Sequence, residues 1–458
     1  MLASRPYAIS PRGCAVKKGF VALLILLAIV VLISPGIVGR LAEQSMDENL
    51  DWAATESQEL SVTSKGFDRG WFSSAGQHRV KVRDGEFRDV LMGLAAVQGD
   101  DDIPELIIDT RLDHGLVPVS SMSRDKGSLM PGLGSAVSTL SLEYPDGVKY
   151  DLPGTVYSKV GLTGNLQSNL VLEAGSFSKA GDTATWGDTD ISVTISPTSS
   201  VVGFDGAIDS LAFASVSLTS VEDDFNVGKI AFSGNQQQTR FGFSVGDATV
   251  TADSFTIFSA QGSQTIGPMS VDTDVRLDGD RVSGRSRVKL DNLPFPNLGA
   301  GGVVIDVTLT DMDAASLGNL TRGLDDMDQF ISGDDMMNAM EPDLQRLLAS
   351  GFALDFDQID VTLPQGTIAT KLNMKLTETD LDRFAWPSVL LALDATLDVS
   401  MPAELVDIAT AMDPQFNAAI GMGFLRKNGD VYEMSAEFKK GALTVNGAPM
   451  PIPITGMQ

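Results

Sequence analysis

The sequence predicts an α+β protein made mainly of antiparallel β-sheet, long, hairpin-rich and able to curve, with one helical insert and one N-terminal transmembrane helix. Three observations carry this. Asp-Gly and Asn-Gly pairs recur beside runs of Val, Ile, Thr, Phe and Leu, at Asp84-Gly85, Asp146-Gly147, Asp205-Gly206, Asp278-Gly279, Asn428-Gly429 and Asn446-Gly447. Such pairs accept the positive φ that tight hairpin turns require. Apolar and polar residues alternate with a period of two in several segments, which predicts strands with one packed and one solvated face. One segment, about 313–350, has helical spacing instead.

At the N-terminus, residues 1–18 form a basic tail in which Arg5, Arg12, Lys17 and Lys18 meet no acid; the acids begin at Glu43. Residues 19–38 hold the long apolar run, from Phe20 to Ile33 and on to Ile37 and Val38. At about 1.5 Å rise per residue, a helix of this length covers the roughly 30 Å hydrocarbon layer of a bilayer. Bases before the run and acids after it predict a cytoplasmic N-terminus with the rest of the chain exported. The rival expectation is a cleaved signal peptide, which calls for a shorter apolar core and a small-x-small site; no good site follows before Arg40. The single cysteine, Cys14, precedes the run, so it is not a lipidation site and the exported part has no thiol for a disulfide.

Residues 39–59 read as a polar helical stalk, with Leu41, Met46, Leu50 and Ala53 only loosely on one face. The exported β-rich domain is expected over 60–458. Leu372, Met374 and Leu376 interleave with Lys371, Asn373 and Lys375, and Tyr432, Met434, Ala436 and Phe438 interleave with Glu433, Ser435, Glu437 and Lys439. Asp190 to Ser196 and Asp247 to Phe258 extend the pattern. In the insert, Leu317, Leu320, Leu324, Met327 and Phe330 recur at three and four, followed by Met336, Met337, Met340, Leu344, Leu347 and Leu348. Ser332 and Gly333 are the expected break, Gly351 the C-terminal stop, and Pro342 the start of a turn rather than a helix interior. The methionines are assigned to packing on the sheet, with an adaptable binding surface as the alternative. A faint repeat joins Asp151-Leu-Pro-Gly-Thr155 to Leu363-Pro-Gln-Gly-Thr367, each read as a turn feeding a strand.

The chain carries 60 acids against 33 bases, a net charge of −27 that belongs to the exported body. Phosphate backbones and anionic lipid surfaces repel such a body, which disfavours nucleic-acid binding as a main activity and makes the stalk a spacer from the membrane. With 43% hydrophobic residues the chain has ample material for a core.

Candidate chemistry is sparse. His78 and His114 are the only histidines, and no H-x-x-x-H or C-x-x-C spacing exists for zinc. The acid runs Glu222-Asp223-Asp224, Asp325-Asp326 and Asp334-Asp335 read as solvated faces, and no calcium loop is present. No G-x-S-x-G elbow, Walker motif or strand-linked G-x-G-x-x-G occurs; Gly299-Ala-Gly-Gly302 reads as a loop ahead of a strand from Val303. Asp113 beside His114, with Ser120 or Ser121 downstream, imitates a base and its orienting acid. Neighbours on a strand point to opposite faces, so a side-chain-capped turn at Asp113-His114-Gly115 is preferred.

Two of these segments, with later ones, resemble the YdgA-like family of uncharacterised bacterial proteins anchored in the inner membrane. The resemblance rests on Arg69-Gly70-Trp71-Phe72-Ser73-Ser74, then Asp113-His114-Gly115 with Pro118, then Ala353 to Phe356 before the Leu363 turn. Leu397 to Pro402 and a closing hairpin with Asn446 and Gly447 complete it. The family pattern places a proline closer behind D-H-G than Pro118 stands here. The resemblance implies inner-membrane anchoring, an exported β-rich body and no established catalytic residue.

The expected function is a non-enzymatic envelope protein that binds or scaffolds at the periplasmic face of the bacterial inner membrane. It would be single-pass, with no metal or cofactor, and its partner would be an unknown envelope protein or lipid. The alternatives are lipid or apolar-ligand handling in a sheet groove, and an envelope hydrolase using the acidic or His114 region.

Overall fold

The computed structural model describes residues 60–69, 73–82, 104–114, 132–144, 147–179, 182–196, 201–215, 224–259, 262–325, 333–413 and 415–451. The basic tail, anchor and stalk expected over 1–59 lie outside the described residues. The chain divides into two compact units, Met1–Ile230 with Thr256–Gln264, and Ala231–Phe255 with Thr265–Gln458. Both are mostly antiparallel sheet, and among the described residues the few helices fall late in the chain.

In the first unit, β1 (Leu60–Arg69), β2 (Ser73–Val82), β3 (Glu105–His114), β4 (Gly132–Glu143) and β5 (Lys149–Gly161) pair in sequence order, each antiparallel to the last. β6 (Leu166–Leu172) follows β5 in the same sheet. The chain then leaves for a smaller sheet through β7 (Gly175–Lys179) and β8 (Asp182–Trp186), and returns as β9 (Thr189–Ser196) beside β6. β10 (Val201–Ile208) pairs with β9, after which β11 (Leu211–Ser215) and β12 (Asp224–Val227) rejoin the smaller sheet.

Each passage between sheets uses two residues. Glu173-Ala174, Gly187-Asp188 and Asp209-Ser210 interrupt β6/β7, β8/β9 and β10/β11, and Gly228-Lys229 precedes β13 (Ile230–Gln238). These corners sit side by side and bond to one another: Gly187 N–H donates to Ser210 O at 2.9 Å, Asp209 N–H to Asp188 O at 3.0 Å, and Ala174 N–H to the Asp188 carboxylate at 2.8 Å. The Trp186 indole N–H donates to Glu173 O at 2.9 Å. Backbone groups freed by the bends thus keep partners, as buried peptide groups must.

The core of the first unit follows from alternation. β6 and β9 show strict buried-exposed periodicity, with Leu166, Leu170, Leu172, Ile191 and Val193 inside. Hydroxyls that fall on this face pair across the ladder, Thr110 with Ser138 and Ser158 with Ser168, each at 2.7 Å, which satisfies polar groups away from water.

In the second unit, β14 (Ser244–Ala252) pairs with β17 (Met269–Asp278), the hairpin β15 (Phe255–Ser259) and β16 (Gly262–Ile266) between them belonging to the smaller sheet. From β17 the ladder runs through β18 (Arg281–Phe295), β19 (Gly299–Asp313), β20 (Phe352–Leu363), β21 (Gly366–Leu376) and β22 (Leu393–Pro402). β24 (Val431–Lys439) pairs with β22 on one side. On its other side it takes β23 (Arg426–Asn428) at one end and β25 (Ala442–Val445) at the other, with β26 (Ala448–Met450) outermost. The two-residue corners recur here at Asp253-Ser254 and Gly267-Pro268. Gly267 N–H and Pro268 O bond to Asp291, where β18 bulges.

The helices lie at strand ends. α1 (Ala314–Asp325) and α2 (Gly333–Ala349) follow β19, α3 (Trp386–Ala392) precedes β22, and α4 (Ala403–Met412) and α5 (Gln415–Gly421) follow it. Four expectations need correction. Pro342 lies inside α2, where the side chains on either side of it are tied to other elements: Asn319 Nδ2 donates to Asp343 Oδ1 at 2.8 Å and Trp386 Nε1 to Glu341 Oε1 at 3.2 Å. Asp205-Gly206 is interior to β10, paired with Ser192 and Ile191, and forms no turn. Asp151 to Thr155 lies within β5 beside a bulge, so only the Leu363 segment is a turn. Gly299 to Gly302 begins β19, since β20 approaches so closely that a Cβ on Gly301 would strike Thr362 O.

Candidate functional site

The ladder brings two separate sequence motifs together. Ser73, the first residue of β2, is the register partner of Asp113 on β3, and Asp113 is in turn the partner of Ser135 on β4. Asp113 and Ser135 are both buried, and Arg111 Nε stands 3.7 Å from the Asp113 carboxylate. Arg69 pairs with Ser74 at the end of the β1–β2 hairpin, and His114 closes β3 opposite Gly134. Asp113 and His114 therefore end a strand, and the capped turn expected at Gly115 lies outside the described residues. Gly70, Phe72, Gly115, Ser120 and Ser121 lie outside the described residues, as do the side chains of Arg69, Ser73 and His114.

Further along β2, Arg79 reaches Glu105 at 3.2 Å and Glu143 at 2.7 Å, two acids that are register partners on β3 and β4. Burial works against the Arg79 charge, but the hydrogen bonds and charges of Glu105 and Glu143 outweigh it and raise the guanidinium pKa. Gln77 donates to Asp109 at 2.7 Å beside this trio. The guanidinium thus ties β2 to both β3 and β4 through charge-assisted hydrogen bonds.

The second unit repeats this theme. Asp306 on β19 is 3% exposed and takes a bidentate grip from Arg285, with Nε at 2.7 Å and Nη2 at 2.5 Å, while Arg287 Nε lies 3.9 Å away. The Arg285 hydrogen bonds pull the Asp306 pKa below its ordinary value against the opposing effect of burial.

Asn446 and Gly447 form the two-residue turn between β25 and β26, with φ of 50° and 78°. Both angles are left-handed, the requirement that Asn-Gly meets. The Asn446 amide does more than turn the chain. Its Oδ1 accepts from Ser435 N–H at 2.9 Å and its backbone N–H donates to Ser435 O at 2.7 Å. Its Nδ2 donates to Gly423 O at 2.8 Å and Phe424 O at 3.0 Å, so one side chain fastens the segment ahead of β23 to β24. Asn446 also borders a cavity of about 490 Å³ whose other walls include Lys371, Asp398, Ser400, Arg426 and Glu433.

On the opposite face, the same strands carry a continuous apolar surface. Register aligns Val271, Val288, Ile305, Ile359, Thr370, Val399 and Met434 in one row across β17 to β24. Val271 is 38% exposed and the others are half-buried. Toward one end of the strands the same face is buried, at Val282 and Leu376, where Ala314, Leu347 and Ala349 of α1 and α2 are buried too. Toward the other end Leu363 is buried, with Leu405 and Val406 of α4. Between these closed ends lies an open trough. Six inter-strand steps of about 4.8 Å and a mid-strand stretch of about 20 Å give it roughly 600 Å², at the upper limit of what soluble monomers expose as one patch.

Sequence reasoning named the alternation in β21 and β24 and raised an apolar sheet groove as an alternative, but it gave the groove no place, because alternation marks an apolar face without showing what lies over it. Among the described residues no group of three or more His, Cys, Asp or Glu could hold a metal ion, and no helix is long and apolar enough to cross a membrane.

A mostly antiparallel β protein with ion pairs riveting its polar faces and one open apolar face is the class that these features define. Within it, the chain belongs to a bacterial protein family of unknown function, DUF945, whose family model matches residues 16–453. No curated protein and no solved structure matches the chain.

Proposed function

We propose that the chain is a non-enzymatic binding protein whose trough in the second unit holds the acyl chains of a lipid. The observation that carries this is the registered row from Val271 to Met434, open at mid-strand and closed toward both strand ends. Its lining is mainly Val, Ile, Leu and Met, with few of the Trp, Tyr and Arg side chains that enrich protein–protein interface cores. Its length of about 29 Å across six strand spacings is near the thickness of a whole hydrocarbon layer, enough for two chains laid end to end. The apolar run at residues 19–38 supports a bacterial inner-membrane location with the body on the periplasmic side, beside a source of such chains. The ordered motifs from Arg69 to Gly447 support the finer YdgA-like assignment. A role without catalysis is supported by Arg285, whose hydrogen bonds hold the buried Asp306 carboxylate below its ordinary pKa as a structural ion.

Photo-crosslinking in the full, membrane-embedded chain tests the proposal. A benzophenone side chain replacing Leu372, on the trough, should give adducts of lipid mass, whereas one replacing Asn373, on the other face, should not. Adducts from position 372 to protein alone would favour a scaffold, and equal lipid labelling at both positions would overturn the assignment.

A further inference from the structure

We infer that the cavity bordered by Asn446 binds a small zwitterion carrying a primary ammonium and a phosphate, the chemistry of a phosphoethanolamine group. It lies on the polar face of β21, β22 and β24, opposite the trough, and stands independently of the acyl-chain proposal.

The register sets out its charges in order. One row across the strands reads Lys371, Asp398, Ser435, with Asn446 bonded to Ser435 at its end; the next reads Ala369, Ser400, Glu433, Arg426. Two carboxylates and two hydroxyls therefore occupy the centre, and a cation stands at each side. Asp398 and Glu433 are diagonal neighbours on adjacent strands, about 7–8 Å apart at the backbone, close enough for both to reach one ammonium. Lys371 and Arg426 are register partners of those acids, yet neither forms an ion pair among the described residues. Their long side chains are free to reach over the cavity.

A primary ammonium offers three N–H donors to the central acids and hydroxyls, and a quaternary ammonium offers none. A phosphate can take a bidentate contact from Arg426 and leave an oxygen for Lys371, while a single carboxylate serves one such fork. The Asn446 amide has both its Oδ1 and its Nδ2 occupied by backbone partners, so it is a rigid wall of the site and not a ligand contact. The cavity of about 490 Å³ is ample for a headgroup-sized molecule.

Calorimetric titration of the full chain in non-ionic detergent with O-phosphoethanolamine is the test. Saturable binding is expected, weakened by about 10- to 100-fold in Asp398→Asn and in Arg426→Gln, the loss of one charge-assisted bond each. Glu437→Gln, on the same face outside the cavity, should bind as the parent does; circular dichroism checks that each variant is folded. O-phosphocholine should fail to bind. Dihexanoyl-phosphatidylethanolamine separates the two sources of this group. Tighter binding than the monoester, lost in the same variants, points to a lipid headgroup, and binding of the monoester alone points to a soluble ester. Absence of saturable binding, equal binding of phosphocholine, or binding indifferent to both variants would overturn the site.

Discussion

Ser73 and Asp113 are register partners on β2 and β3, so the Arg69 to Ser74 motif and the Asp113-His114-Gly115 motif meet at one place on the sheet. The Asp113 carboxylate is buried there beside the buried Ser135, while its neighbour Arg111 is 71% exposed at the side chain. Asp113→Ala should cost about 1–3 kcal/mol, because it truncates a buried side chain and leaves its space unfilled. Arg111→Ala should cost under about 1 kcal/mol, as exposed pairs do. Urea unfolding of the two variants compares them directly; equal losses would show that Asp113 depends on the Arg111 pair.

Asn446→Ala removes a side chain that bonds three backbone groups, and about 1–3 kcal/mol should be lost. Amide exchange at Ser435 should accelerate first, since its N–H loses its acceptor. Gly447→Ala tests the turn alone: at a φ of 78° it should cost about 1 kcal/mol without exposing Ser435.

Asp306 makes stability sensitive to acid. Its folded-state pKa lies below the ordinary value, chiefly through the Arg285 hydrogen bonds, so its contribution is fully present above the unfolded pKa near 3.9. That contribution is lost as pH falls from about 5 through the lower folded value. Asp306→Asn should therefore unfold more easily at pH 7 and show a flatter decline between pH 5 and 3. Denaturant midpoints across that range give the measurement; parallel curves for parent and variant would refute the assignment.

Gly301→Val should cost about 1–3 kcal/mol, because the new side chain would strike Thr362 O and force β19 from β20. Gly421→Ala, at the end of α5 with open space around it, should be neutral or slightly stabilising. Thermal unfolding of the pair distinguishes a close strand approach from a general intolerance of change at glycine.

What could be read in advance was local chemistry. Asn446-Gly447 fills a two-residue hairpin loop, and Gly279 and Gly429 open the loops that Asp278 and Asn428 lead into, because positive φ selects these residues by backbone angle alone. Asp205-Gly206 has the same letters, but Ser192 and Ile191 on the neighbouring strand claim its backbone. Pro342 lies within a helix whose adjoining Glu341 and Asp343 are bonded by Trp386 and Asn319, which stand far from one another in sequence. The same limit applied to the sites. Asn446 was marked by its turn, whereas the assembly of Lys371, Asp398, Glu433 and Arg426 exists only once three ladders are in register.

The two-residue corners constrain how a chain of this kind can change length. A strand alternates its faces with every residue, so one residue added within a corner would turn each later side chain of that strand inside out, exchanging the buried Ile191 and Val193 for their solvated neighbours. Corners that bond to one another, as Gly187-Asp188 and Asp209-Ser210 do, would lose those bonds as well. Insertions should survive instead at hairpin tips such as Thr239 to Phe243, where the strands on either side keep their phase. The fold can thus grow by whole hairpins and by longer tips, while the line along which its strands bend stays fixed to the residue.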